Sequence, residues 1–168
     1  MKISLLSTIV ILFIILASSV EAQVINFEHT LESDYSTGEL WQDFNRAMKS
    51  SKNSNVWPSA SSVIGEGLVD NGIIEVTYSM GFFSPTYSYI LSVNEKEKSF
   101  SYTAFGQEHP FIGGATVQVL SGKTVESSRL LWKGTYDTAG AGFFARRAFL
   151  SFERRFFEEL KRRLLKTP

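Results

Sequence analysis

The sequence predicts an α+β fold: a curved antiparallel sheet of six to seven strands wrapped around one long C-terminal helix. Three observations carry this. Between Ser62 and Tyr136 apolar residues recur at every second position, in short runs separated by turns. One strand pattern and one capped helix pattern precede that region. From Phe143 onward the apolar spacing changes to three and four, with no break to the end of the chain.

In chain order, Val24–Leu31 (VINFEHTL) alternates and puts Ile25, Phe27, His29 and Leu31 on one face of a first strand. Ser36–Glu39 (STGE) has the form of a capping box, an N-cap Ser with Glu three residues on. Leu40, Trp41, Phe44 and Met48 follow at helical spacing, so a helix should run to about Lys49. Ser50–Asn55 is a loop by composition, and Trp57-Pro58 opens a segment with room for one helical turn.

Ser62–Leu68 reads as a short strand containing Gly65 and Gly67, and Asn71-Gly72 as a hairpin turn. The next strands place Ile74, Val76, Tyr78 and Met80 on one face, then Tyr87, Tyr89, Leu91 and Val93, then Phe100, Tyr102 and Ala104. Gly81–Pro85 turns the chain between the first two of these, and Asn94–Lys98 between the second and third. After a loop at Gly106–Gly114 come a strand at Ala115–Leu120 and a long one at Val125–Tyr136. The latter carries Ser128, Leu130, Trp132, Gly134 and Tyr136 on one face. Strands joined by such short turns must be antiparallel neighbours.

In the C-terminal helix, Ala145, Ala148, Phe149, Phe152, Phe156, Leu160 and Leu164 form a stripe wide enough to face a core. Arg154/Glu158, Arg155/Glu159, Glu158/Arg162 and Glu159/Arg163 stand four apart on the other side, where such pairs stabilise a solvated face. A membrane-surface helix would carry cations without acidic partners. This helix therefore reads as a wall of the domain. Docking through Lys161, Arg162, Arg163 and Lys166 is the alternative.

The first 22 residues stand apart. Lys2 precedes an uncharged run, Ile3–Val20, and Val20-Glu21-Ala22 fits a cleavage site. The expectation is a signal peptide at 1–22 and a ligand-binding domain at 23–168, exported to a secreted or periplasmic location. A retained membrane anchor is the alternative, because the run approaches spanning length. The chain has no Cys, so an exported domain would be stabilised by its core rather than by disulfides.

Lys plus Arg and Asp plus Glu are each 17, giving a formal net charge of zero. That speaks against nucleic acid as a partner, which usually requires a basic excess. The only His residues, His29 and His109, stand far apart, and no Cys accompanies them, so no metal is expected. No G-x-S-x-G nucleophile elbow occurs. Gly140–Ala145 (GAGFFA) matches a loose dinucleotide pattern but lacks the following strand and acidic residue; its glycines are read as bending the chain into the helix. No cofactor is expected. His109 is either a solvated loop residue or an acid/base at a cavity mouth. His29 is either a satisfied core residue or a ligand contact. The inward tyrosines need hydroxyl partners when buried, supplied by neighbours or by a ligand head group.

Taken together, Trp41 in the first helix, Trp57-Pro58, Gly65-Glu66-Gly67, the Tyr-rich middle strands, LLWKGTYD at Leu130–Asp137 and the closing helix resemble a known group. They are similar, over about Val24–Leu165, to the START-like, birch-pollen-allergen-like (SRPBCC) superfamily, in its polyketide cyclase/dehydrase and lipid-transport branch. The resemblance implies a helix-grip fold around a deep, mostly apolar cavity, with no universal catalytic motif. Members bind lipids, sterols, hormones, quinones or polyketides, and a minority catalyse cyclisation or dehydration. An export signal departs from the many cytoplasmic members. The expected function is an exported carrier of a hydrophobic small molecule, with a cyclase/dehydratase-like enzyme as the alternative. The candidate ligand contacts are Tyr78, Tyr87, Tyr89, Tyr102, Trp132, Phe149, Phe152 and His29. Membrane contact is expected only through the signal segment or the basic C-terminal end.

Overall fold

A computed structural model of the protein describes residues 24–79, 84–106, 111–138 and 140–165, without the side chains of Asn53 and Phe143. The signal segment, Met80, the 81–83 part of the predicted turn, His109 and Lys166 lie outside the described residues. Seven strands form one curled antiparallel sheet: β1 Val24–Ser33, β2 Ala60–Ile64, β3 Ile73–Tyr78, β4 Thr86–Asn94, β5 Ser99–Phe105, β6 Ile112–Ser121 and β7 Ser128–Asp137. Their spatial order is β1-β7-β6-β5-β4-β3-β2. Two helices cover the inner face, α1 (Thr37–Ala47) and the long α2 (Gly142–Leu164).

The predicted alternation holds strand by strand. Ile25 and Leu31 of β1, Ile74, Val76 and Tyr78 of β3, Tyr89 and Leu91 of β4, and Phe100 and Tyr102 of β5 are buried, as are Leu130, Trp132 and Tyr136 of β7. Glu75 points outward.

The capping box of α1 forms as its sequence requires. The Glu39 N–H donates to Ser36 Oγ at 3.3 Å, and the Ser36 N–H donates to Glu39 Oε2 at 2.8 Å. Ser36→Ala should therefore lower the unfolding free energy by about 1 kcal/mol, measured as a shift in denaturant midpoint at constant slope. Leu40, Trp41, Phe44, Ala47 and Met48 then pack into one end of the core, where the Phe44 ring lies 5.2 Å from Phe100 and 6.0 Å from Trp132. Polar bonds lock α1 to its surroundings. Buried Asp43 accepts from Arg46 and from the Asn55 N–H, and the Trp41 indole donates to Glu95 at 3.0 Å.

Five features differ from the sequence reading. β2 spans Ala60–Ile64 rather than Ser62–Leu68. Gly67 takes φ +103°, and a Cβ at Gly65 would stand 2.5 Å from the Met48 carbonyl, so this stretch is a tight link beneath α1. Asn71-Gly72 does turn, with Asn71 at φ 59°, but it closes that longer link rather than a two-residue hairpin. β6 starts earlier, at Ile112, because Gly113 and Gly114 pair with Tyr136 and Thr135 of β7. β7 starts later, at Ser128, because the Thr124 N–H and hydroxyl both donate to Ser127 Oγ and hold a turn there. The helical turn near Trp57 is a short 3-10 piece at Ser51–Asn53, ahead of it rather than behind.

α2 enters through Gly142 at φ 66°, and its far end is fastened where the Asp34 N–H donates to the Leu164 carbonyl at 3.0 Å. Phe156, Leu160 and Leu164 are buried as the stripe predicts, and Phe157 joins them. Of the four ion pairs expected on the outer surface, Glu159–Arg163 forms at 2.9 Å. Arg162 also turns to Glu159, one position nearer than expected, and Arg155 donates to the Ser151 carbonyl. The bond from Arg163, more than anything else, holds the Glu159 carboxyl below its usual range. Arg162 and Arg163 thus both pair with Glu159, and Arg163 also donates to the Ser54 carbonyl at 3.4 Å. Among the described residues no helix is long and apolar enough to cross a membrane.

Candidate functional site

The stripe of α2 does different work along its length. Leu160 and Leu164, fully buried, seal the helix onto the core. The half nearer Gly142 stands off the curled sheet and encloses a cavity of about 470 Å³. From the helix, Ala145, Ala148, Phe149, Phe152, Glu153, Phe156 and Phe157 line it. From the sheet side come Phe27, Tyr78, Tyr87, Tyr89, Tyr102, Trp132 and Tyr136, with Trp57 and Phe111 from the connecting segments. Thirteen of these sixteen residues are aromatic, so the walls are ring faces and edges rather than aliphatic chains.

Trp132 lies at the centre of the packing. It is 1% exposed, and the rings of Trp57, Tyr102, Phe156 and Phe157 surround it at centroid distances of 5.8, 6.2, 5.2 and 5.4 Å. Its indole N–H donates to the Tyr102 hydroxyl at 3.1 Å, and Tyr102 in turn bonds Tyr136. The Tyr78 and Tyr89 hydroxyls meet at 3.4 Å. The Trp57 indole nitrogen is buried beside the Tyr78 hydroxyl.

Burial dominates the chemistry of these phenols. It pushes the Tyr78 hydroxyl up to about 12, and raises Tyr87, Tyr89, Tyr102 and Tyr136 as well. Near neutral pH the cavity therefore presents neutral hydroxyls, able to orient a polar group but not to act as phenolate bases.

Seven of the eight residues singled out from sequence line this one space: Tyr78, Tyr87, Tyr89, Tyr102, Trp132, Phe149 and Phe152. His29 stands one layer behind it. Its ring stacks on Phe157 at 3.7 Å, and its Nε2 lies 2.5 Å from Oε1 of Glu153, which does reach the wall. The sequence reading passed over Glu153, Phe157 and Tyr136 as wall residues. A signal for Glu153 was present, since it falls inside the apolar stripe, four residues after Phe149 and four before Phe157. Ala104, on the inner face of β5, packs against the core without lining the cavity.

An antiparallel sheet gripping a long helix around an apolar cavity is a helix-grip architecture. It is the fold of the START-like, birch-pollen-allergen-like superfamily, and this chain has it. The chain is similar to the ZhuI aromatase/cyclase from Streptomyces sp. R1128, with a TM-score of 0.69 at 10% identity, covering 84% of this chain and 92% of that one. It is similar to Ara h 8.0201, with a TM-score of 0.58 at 13% identity, covering 86% of this chain and all of the other. It also matches the di-domain aromatase/cyclase BexL of the BE-7585A biosynthetic pathway, with a TM-score of 0.63 at 14% identity, covering 83% of this chain and 46% of that longer one. No protein-family model and no curated protein sequence matches the chain.

Proposed function

We propose that the protein is a carrier that holds an apolar, ring-containing small molecule between α2 and the sheet. The observation that supports it is the wall itself: thirteen aromatic residues, two alanines and one carboxylate around about 470 Å³. Removing apolar ligand surface from water supplies the driving force, about 25 cal/mol per Å² before ordering costs. The signal-like segment at 1–22 supports export of such a carrier.

The second reading, a cyclase- or dehydratase-like enzyme in the same cavity, draws on the Glu153–His29 pair and on the aromatase/cyclases of like fold. It would require that pair to move protons, since the phenols are held neutral. Conversion of a bound ligand, seen by mass spectrometry after incubation, would favour it over simple carriage.

The neutral fluorophore N-phenyl-1-naphthylamine tests the carrier reading. It should bind with a Kd in the micromolar range, on the order of −8 kcal/mol. Phe152, half-buried with its ring centroid 5.3 Å from that of Tyr78 and the two rings near perpendicular, lines the space. Phe152→Ala should cost less than the roughly 3–5 kcal/mol of a fully packed Phe, and should change the fluorophore's affinity. A stability loss under about 0.5 kcal/mol with unaltered binding would show surface behaviour and reject the cavity.

A further inference from the structure

Glu153 breaks the logic of its own helix. It sits among Phe149, Phe152, Phe156 and Phe157 on the face of α2 that lines the cavity. A carboxylate is expensive to desolvate unless something bonds it. His29, at the middle of β1, does so through Oε1 at 2.5 Å. The imidazole is itself fixed, stacked on Phe157 at 3.7 Å and near Phe27 at 5.9 Å, on a strand paired along its whole length with β7. The side chains of His29 and Glu153 are 32% and 16% exposed. Two rigid elements thus hold one carboxylate at the wall, and the pairing with His29 engages only one of its oxygens.

The rest of the wall is ring surface and neutral phenols, which carry protons of their own to donate. Glu153 carries the only side-chain acceptor without a proton among the described wall residues when ionised. If the pair served only to pin α2 to β1, nothing would require its acid to stand at the cavity surface.

We propose that Glu153, positioned by His29, is where the cavity recognises a hydrogen-bond donor, a hydroxyl or amine, on an otherwise apolar ring ligand, and that it disfavours ligands carrying a carboxylate. This rests on the cavity reading above and adds to it the polarity of the head group. A donor on the ligand meets an ionised acceptor, which makes the stronger kind of hydrogen bond. An anion there meets like charge in poorly hydrated surroundings.

Three probes of one ring system test this: 2-naphthol, 2-methoxynaphthalene and 2-naphthoic acid, each displacing N-phenyl-1-naphthylamine at neutral pH. The number that matters is the naphthol-to-ether affinity ratio in wild type divided by that in a variant, which cancels the ether's greater hydrophobicity. For Glu153→Leu that quotient should be about ten, with ether binding kept or improved. Glu153→Gln, the same size without charge, should strengthen naphthoic acid relative to naphthol by about ten-fold, and it serves if the Leu variant does not fold. His29→Phe should shrink the naphthol preference without raising naphthoic acid binding as much as Glu153→Gln does. A purely structural pin would move melting temperature in all three variants and leave every ratio alone, which overturns the proposal. Equal ratios with intact fluorophore binding reject only the head-group inference. If wild type fails to bind the fluorophore at all, the cavity reading falls and this one with it.

Discussion

Trp132→Ala should destabilise the protein by about 3–5 kcal/mol, the largest loss expected of any single substitution in the sheet. The cause is the packing around one indole. Trp132 is 1% exposed and touches α1 through Phe44, the connecting segment through Trp57, β5 through Tyr102, and α2 through Phe156 and Phe157. Alanine removes the ring that all four share and also takes away the N–H that the Tyr102 hydroxyl accepts. Because the cavity already adjoins this ring, neighbours have space on one side but no atoms with which to refill it. Chemical denaturation checks the figure, and the melting temperature should fall by roughly 10 °C or more. A loss under about 1 kcal/mol would mean that α1 and α2 do not meet across Trp132.

Ala145→Trp should weaken N-phenyl-1-naphthylamine binding by at least about 30-fold, or roughly 2 kcal/mol, while leaving the melting temperature within a few degrees. Ala145 lies on α2 where the helix stands off the sheet, and its methyl group faces the cavity. An indole there projects into open space rather than into packed core, so it displaces ligand without the usual strain of overpacking. Ala104, the position that strand alternation alone would select for such a plug, is a poorer choice because it packs on the core. Titration of the fluorophore against both variants distinguishes the two positions. Binding that survives Ala145→Trp but disappears in Arg162→Glu/Arg163→Glu would move the site to the basic end of α2.

Much of this architecture is written in local pattern. Ser36 and Glu39 announce the start of α1 because a capping box needs only four residues and one turn of backbone. The inward faces of β3, β4, β5 and β7 are legible because side chains alternate strictly along a strand, so Tyr78, Tyr89, Tyr102 and Trp132 could be assigned to the core without knowing any partner. Gly65 and Gly67 misled for a related reason. A flanking run of apolar residues extends the alternation through them, whereas their backbone is committed to a tight approach to α1 that no period can reveal.

Glu153 shows the other limit. Beside Arg154 and Arg155, and ahead of Glu158 and Glu159, it reads as part of the solvated charged surface. Its spacing of four from Phe149 and Phe157 hints at the inner stripe, but that place is settled only when helix phase is fixed by Phe149, Phe156 and Phe157 packing on Tyr136 and Trp132.

By itself the sequence determined the elements, their inner and outer faces and the helix that closes the domain, since each depends on residues within one or two turns or strand repeats. Only the tertiary structure decided that β1 joins the sheet beside β7, that His29 reaches Glu153 across 124 positions, and that helix and sheet part to leave a cavity instead of a filled core. Those outcomes depend on loop closure, sheet curl and the fit of side chains from distant segments, and contacts of that range leave no periodic trace in the chain.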